Sequence, residues 1–256
     1  MKKKIFALCL VIALAATAII GGTLAYFTDT DEATNTFTAG GVAIDLIEQE
    51  RDGNGGLQDF TQDKVLMPIV GSIEQRDDLG QPVAKNFVDK IVTIENTGKS
   101  DAWVRAYVPI PATLDDGLTE GINPRMNVLH FAYGYANGEE TFGKQWLWKN
   151  GRVLNYFETT IGGVAYNVYY ADYYKVLPVG ETTEQLISGF YLDAAVDMND
   201  EGLYTLTRNG VASVIEGFDG SVECPVFAVA VQAAGFDSAA EAIDAAFGPN
   251  FNPWAE

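Results

Sequence analysis

Cysteine, histidine and positive charge are all scarce in this 256-residue chain. Two cysteines are present, Cys9 and Cys224, and one histidine, His130. A zinc peptidase wants two histidines at i and i+4 with a glutamate between them, so that both imidazoles share one helix face beside the base. One histidine cannot supply that. No nucleophile, metal or cofactor motif stands elsewhere, so no catalytic residue, no cofactor and no enzymatic activity are expected. Lys+Arg number 16 against 35 Asp+Glu, a formal charge of −19. Such a chain is repelled by nucleic-acid phosphates, and by anionic headgroups unless cations mediate, which excludes nucleic-acid binding. The apolar fraction of 48% is nevertheless that of a globular protein, so the acid reads as surface and not as disorder. Internal repeats and low-complexity tracts are absent. The C-terminal Phe251-Asn252-Pro253-Trp254-Ala255-Glu256 has neither a hydrophobic tail nor a sortase-like signal, so release or non-covalent retention is expected.

Met1-Lys2-Lys3-Lys4 is a cationic start, and Ile5 to Ile20 is apolar apart from Cys9 and Thr17. Gly21-Gly22 break the run, and Thr23-Leu24-Ala25 puts small residues at the −3 and −1 positions of a cleavage site. That is the layout of a secretory signal peptide over residues 1–25. The run is shorter than the roughly 20 residues that span a bilayer. Cleavage between Ala25 and Tyr26 leaves 231 residues, with 13 Lys+Arg against 35 Asp+Glu and a net charge of −22. The membrane is then met only through the signal peptide, and signal peptidase is the partner during export. Cys9 leaves with that segment, so Cys224 has no intramolecular partner and the core must suffice without a disulfide. Cys224 reads either as a small buried apolar residue in Val222–Val231 or as half of an intermolecular disulfide.

The rest is punctuated like a β-protein, with short runs of Val, Ile, Tyr and Phe between Gly, Asn, Asp and Pro clusters. Strands are expected at Val42–Ile47, Val88–Glu95, Ala102–Val108, Val128–Tyr135, Val164–Tyr170, Tyr173–Leu177, Thr183–Tyr191 and Val222–Val231. Trp103, Arg105 and Tyr107 alternate with Val104, Ala106 and Val108. Phe227, Val229 and Val231 alternate with Val226, Ala228 and Ala230, and a strand apolar on both faces belongs in a doubly covered position. One helix is expected at 237–247, where Ser238 and Glu241 form a capping-box pair and Gly248-Pro249 stop it. Together these predict one secreted all-β domain over residues 26–256: a jelly-roll-type β-sandwich with loop insertions and a short C-terminal helix.

Two stretches carry a family likeness. Residues 15 to 46 hold Gly21-Gly22-Thr23-Leu24-Ala25-Tyr26-Phe27-Thr28-Asp29, then Asn35-Thr36-Phe37-Thr38-Ala39-Gly40 and Val42-Ala43-Ile44-Asp45-Leu46. Residues 88 to 105 hold a strand, the turn Asn96-Thr97-Gly98 and a second strand. Both resemble the TasA/camelysin-type proteins, secreted by Gram-positive bacteria and processed by a dedicated signal peptidase, whose best-known member builds biofilm matrix fibres. The resemblance implies a structural protein of the extracellular matrix. It also implies that the segment freed by signal cleavage, Tyr26–Ala39, adds as a strand to a neighbouring subunit, with Tyr26, Phe27 and Phe37 as anchors. An open sheet edge presents unpaired N–H and C=O groups that an incoming strand satisfies. The same segment can instead pair with its own sheet or stay frayed. Camelysin-like proteins have also carried a peptidase label, which a chain without a zinc motif does not support.

Two further sets of residues point to ligands. Trp146 and Trp148, two apart, would share a strand face near Tyr166, Tyr169, Tyr170, Tyr173 and Tyr174. An exposed aromatic ledge of this kind stacks on sugar rings, and makes a monomeric polysaccharide-binding module the alternative function; the plainer reading is that these rings fill a sandwich core. Asp52, Asn54, Asp59 and Asp63 place oxygens at calcium-loop-like positions, but Leu57 stands where the sharp-turn glycine belongs. Asp197-Met198-Asn199-Asp200-Glu201-Gly202 opens similarly and lacks the closing acid, since Arg208 sits there. Solvated acidic turns account for both as well.

Overall fold

The computed structural model describes residues 28–32, 35–36, 41–54, 56–77, 82–115, 128–133, 135–136, 139–140, 144–150 and 153–255. Strand β1 (Thr28–Glu32) and the two-residue β2 (Asn35–Thr36) come first, then β3 (Ile44–Arg51) and β4 (Leu57–Asp59). A long connection leads to β5 (Val88–Asn96) and β6 (Ala102–Pro111). Short strands follow: β7 (Leu129–Ala132), β8 (Tyr135–Ala136), β9 (Glu139–Glu140), β10 (Trp146–Leu147), β11 (Lys149–Asn150) and β12 (Val153–Leu154). The chain continues through β13 (Tyr156–Ile161), β14 (Val164–Tyr173), β15 (Ile187–Leu192), β16 (Val196–Met198), β17 (Tyr204–Arg208), β18 (Val211–Val214) and β19 (Phe227–Gln232) to helix α1 (Ala239–Phe247).

Two antiparallel sheets make the expected sandwich. One runs β10-β14-β6-β19-β1-β2, with β13 also on β14; the other runs β4-β3-β5-β15-β7. Between them lies one apolar core. Val104, Ala106, Val108 and Ile110 of β6 and Ala228 and Ala230 of β19 meet Ile44 of β3, Val92 and Ile94 of β5 and Phe190 and Leu192 of β15. The alternation read in β6 and β19 has its counterpart on the other face. Trp103, Tyr107, Phe227, Val229 and Val231 form a second apolar layer under Ala239, Ala242 and Ile243 of α1, with Phe247, Phe251 and Trp254 packed beside it. The first sheet is therefore covered on both sides, as the double apolar pattern of β19 requires.

α1 begins as its sequence predicts. Ser238 is the N-cap, and its hydroxyl accepts from the Glu241 N–H at 3.2 Å. The Glu241 carboxylate reaches back to the Asp237 N–H at 3.0 Å. Gly248, at φ 90°, closes it. In the Asn-Thr-Gly turn, Asn96 is fully buried and donates to the carbonyls of Ser100 at 3.0 Å and Leu177 at 2.9 Å, while its Oδ1 accepts from Gly98 N–H at 3.0 Å. A Cβ at Gly98 would stand 2.6 Å from the backbone nitrogen of Ala43, which is why a glycine closes this turn.

Several boundaries differ from expectation. The strand placed at Tyr173–Leu177 does not form. β14 absorbs Tyr173, and Leu177 makes only an isolated bridge to Ala102. The run Val222–Val231 becomes a strand only from Phe227, because pairing to β6 starts at Phe227↔Tyr107. Two hairpins were not anticipated: β13–β14, closed by Gly162-Gly163 at φ 57° and 89°, and β17–β18, closed by Asn209-Gly210 at φ 52° and 78°. Both are two-residue turns that need positive φ, and Asn-Gly was a readable signal.

Candidate functional site: the N-terminal strand beside β19

The first strand joins the sheet through a backbone ladder. β1 pairs antiparallel with β19 in the register Thr28↔Val231, Asp29↔Ala230, Thr30↔Val229, Asp31↔Ala228 and Glu32↔Phe227. Among the described residues its other side meets only β2, over Asp31↔Thr36 and Glu32↔Asn35. Thr-Asp-Thr-Asp-Glu is a poor strand former, with no apolar residue, yet it lies along one of the most deeply buried strands of the molecule. The ladder itself explains this. β19 has β6 on one side, and without β1 the other side presents a row of unsatisfied N–H and C=O groups. Of the three arrangements considered for this segment, pairing within its own sheet is the one seen for Thr28–Glu32 in the single chain. Ala25, Tyr26, Phe27 and Phe37, the residues assigned to cleavage and anchoring, lie outside the described residues.

Residues 1–50 match the family model described as Camelysin metallo-endopeptidase. Over this stretch the chain is similar to the camelysin family. No curated protein and no solved structure matches it. The camelysin-like segment ends within β3, so it takes in β1 of one sheet and nearly all of the first long strand of the other.

Two of the three carboxylates of this segment that lie on β3 are held by lysines. Glu48 pairs with Lys90 Nζ at 2.9 Å, and that ammonium also stands 5.0 Å over the Phe60 ring. Glu50 pairs with Lys64 Nζ at 2.7 Å and accepts from Gln58 and Thr61. Burial raises the Glu50 carboxyl, but these partners outweigh it and bring it down to about 2. His130, on β7, lies 2.8 Å from Asp193 and stacks on Tyr191 with centroids 5.1 Å apart. Burial works against the Asp193 charge, yet His130 and the Ala195 N–H hold its carboxyl below the ordinary value. Among the described residues no three His, Cys, Asp or Glu side chains gather as a metal set. Cys224 is free and buried, and burial pushes its thiol up to about 12, with Lys90 opposing.

The tryptophan ledge needs correcting. Trp146 and Trp148 do share a face, but it is the core face: they are 3% and 1% exposed, while Leu147 between them is 44% exposed. Trp146 packs on Tyr173 at 5.1 Å and donates to the Glu184 carbonyl at 3.0 Å. Trp148 packs on Phe131 at 5.3 Å. Neither offers a ring to a sugar. Spacing showed that the pair shared a side, but not which side faced solvent. Tyr166, Tyr169 and Tyr173 are buried as well, and only Tyr174 of that group is well exposed.

The calcium candidates are not brought together either. Asp52 Oδ1 accepts from the Asn54 N–H at 2.7 Å and the Gly56 N–H at 3.0 Å, which holds its carboxyl below the ordinary value. Asp59 is carried off along β4, opposite Gln49, and Asp63 sits in a left-handed turn at φ 63°. The carboxylate caps its own loop. Asn199 does the same in the second acidic loop, accepting from Glu201 at 3.1 Å and Leu203 at 2.8 Å. No helix among the described residues is long and apolar enough to cross a membrane.

Proposed function

We propose that this is a secreted, non-enzymatic structural protein of an extracellular or biofilm matrix, which assembles into fibres by passing its N-terminal strand between subunits. The carrying observation is that β1, which starts at the third residue after the expected cleavage site, occupies one side of β19 in a backbone ladder. A neighbour's β1 can make the same ladder in the same register. The exchange then trades like for like, and its enthalpy favours neither partner. Head-to-tail exchange does not close on itself, so it yields a filament. While the signal segment is attached, the strand is tethered at the membrane, which restrains assembly until cleavage. Subunits carrying −22 repel one another, so salt or divalent cations should promote growth.

Negative-stain electron microscopy of the chain beginning at Tyr26, beside one lacking Tyr26–Ala39, tests this directly. Fibres from the first and none from the second are expected. Fibres from both, or from neither across a salt and calcium series, overturn strand exchange. The family description keeps a peptidase reading alive. Digestion of a generic protein substrate that stops on adding a chelator would support it over ours. The polysaccharide reading has lost its platform with the burial of Trp146 and Trp148.

A further inference from the structure

β16, β17 and β18 form a small sheet separate from the two that make the sandwich. Val196, Tyr204 and Leu206 tie it to the core, and the Tyr204 hydroxyl donates to the Leu66 carbonyl at 2.6 Å. Its outer strand is different. All four residues of β18, Val211-Ala212-Ser213-Val214, are exposed, with Val211 at 65% and Val214 at 39%. Among the described residues, β18 is paired only with β17. The Ile215 N–H donates to the Tyr204 carbonyl at 2.9 Å. By the alternation of an antiparallel ladder, the N–H and C=O groups of Ala212 and Val214 then point away from β17.

Protected edges carry charge, proline or a bulge, and β18 has none of these. From Leu203 to Val214 the chain contains one charged residue, Arg208, and no acid, in a protein whose acids outnumber its bases by more than two to one. Two other edge strands bring acid with them, β4 with Asp59 and β16 with Asp197, whereas the edge strands β7 and β10 carry none but are short or largely buried. Two copies meeting at those edges would set carboxylate against carboxylate, which is unfavourable for facing residues. At β18 nothing repels. We infer that β18 is a self-pairing edge, at which a second copy of this chain adds its own β18 antiparallel and joins two three-stranded sheets into one of six. This rests on the reading that the chain self-associates, and adds to the N-terminal strand a lateral contact that ties filaments side by side.

Two variants test it in the chain beginning at Tyr26. Ala212→Pro removes an N–H that points away from β17, so it blocks edge pairing and leaves the β17 ladder intact. Val211→Glu/Val214→Glu places like charges at the contact. Electron microscopy is combined with sedimentation velocity over a concentration series. The unchanged chain should give paired or bundled filaments, or a dimer where filaments are lacking, and each variant should weaken that lateral association about tenfold or more. Single filaments from both variants, with far-ultraviolet circular dichroism unchanged, are the expected picture. Lateral association equal to that of the unchanged chain in both variants, or its absence from the unchanged chain, overturns the inference. Filament formation itself reads out separately: its loss in every sample sinks strand exchange, while a β18-dependent dimer would still stand.

Discussion

The two faces of the first sheet are both buried, but they are built from different residues. The inner face of β6 and β19 uses Val104, Ala106, Val108, Ala228 and Ala230, and the outer face uses Trp103, Tyr107, Phe227, Val229 and Val231 around an ion pair. Facing sheets pack about 10 Å apart, which suits small and branched side chains that interdigitate. The outer face meets a single nine-residue helix and an irregular C-terminal tail, so larger rings must fill the space. Tyr107 is the hub there, with Phe157, Tyr170, Phe227, Phe251 and Trp254 ring centroids 6.1 to 6.5 Å away. Arg105 joins it, bonded to Asp172 at 2.6 and 3.0 Å and 3.9 Å from Asp244 of α1. The inner face is a matter of pattern, and the outer face a matter of particular partners.

That contrast can be broken from either side. Trp148→Ala should cost most, about 3–5 kcal/mol, because it empties a large site in the shared core; denaturant unfolding should report it as one cooperative loss. A smaller loss with unchanged cooperativity would mean that the core collapses around the gap. Tyr107→Ala should cost about 3 kcal/mol, near the lower end for an aromatic deletion. Its signature should be local: amide exchange in α1 should rise before exchange in β3 or β5. Equal rises throughout would show that the outer layer is not separable. Arg105→Ala leaves the Asp172 carboxylate without its bidentate partner; some water access remains, so about 2 kcal/mol is expected, below the 3–5 of a fully buried pair.

The smallest effect concerns pH. Glu50 has its carboxyl lowered in the fold to about 2, so its contribution is fully present above the ordinary value of 4.5. It is lost as pH falls from there toward 2, when the carboxyl protonates and its bond to Lys64 is broken. Glu50→Gln should therefore lower Tm at pH values above about 4.5, leave it little changed near pH 2, and so flatten the acid limb of a Tm-against-pH curve between those values. An unchanged acid limb would mean that the buried Glu50 charge gains little from its exposed partner Lys64.

What local chemistry alone could settle was settled early. The two-residue period of β6 and β19 predicted opposite faces, and Ser238 with Glu241 predicted the start of α1, because each depends on residues a few positions apart. The family likeness of residues 1–50 was legible for the same reason. The tertiary structure decided what depends on distant partners. Trp146 and Trp148 turn inward because β10 pairs with β14 beside Tyr173. Asp52 caps its own loop while the β3–β4 ladder carries Asp59 away. The weak strand former Thr28–Glu32 becomes a strand because β19, some two hundred residues later in the chain, leaves a row of backbone groups that something must satisfy.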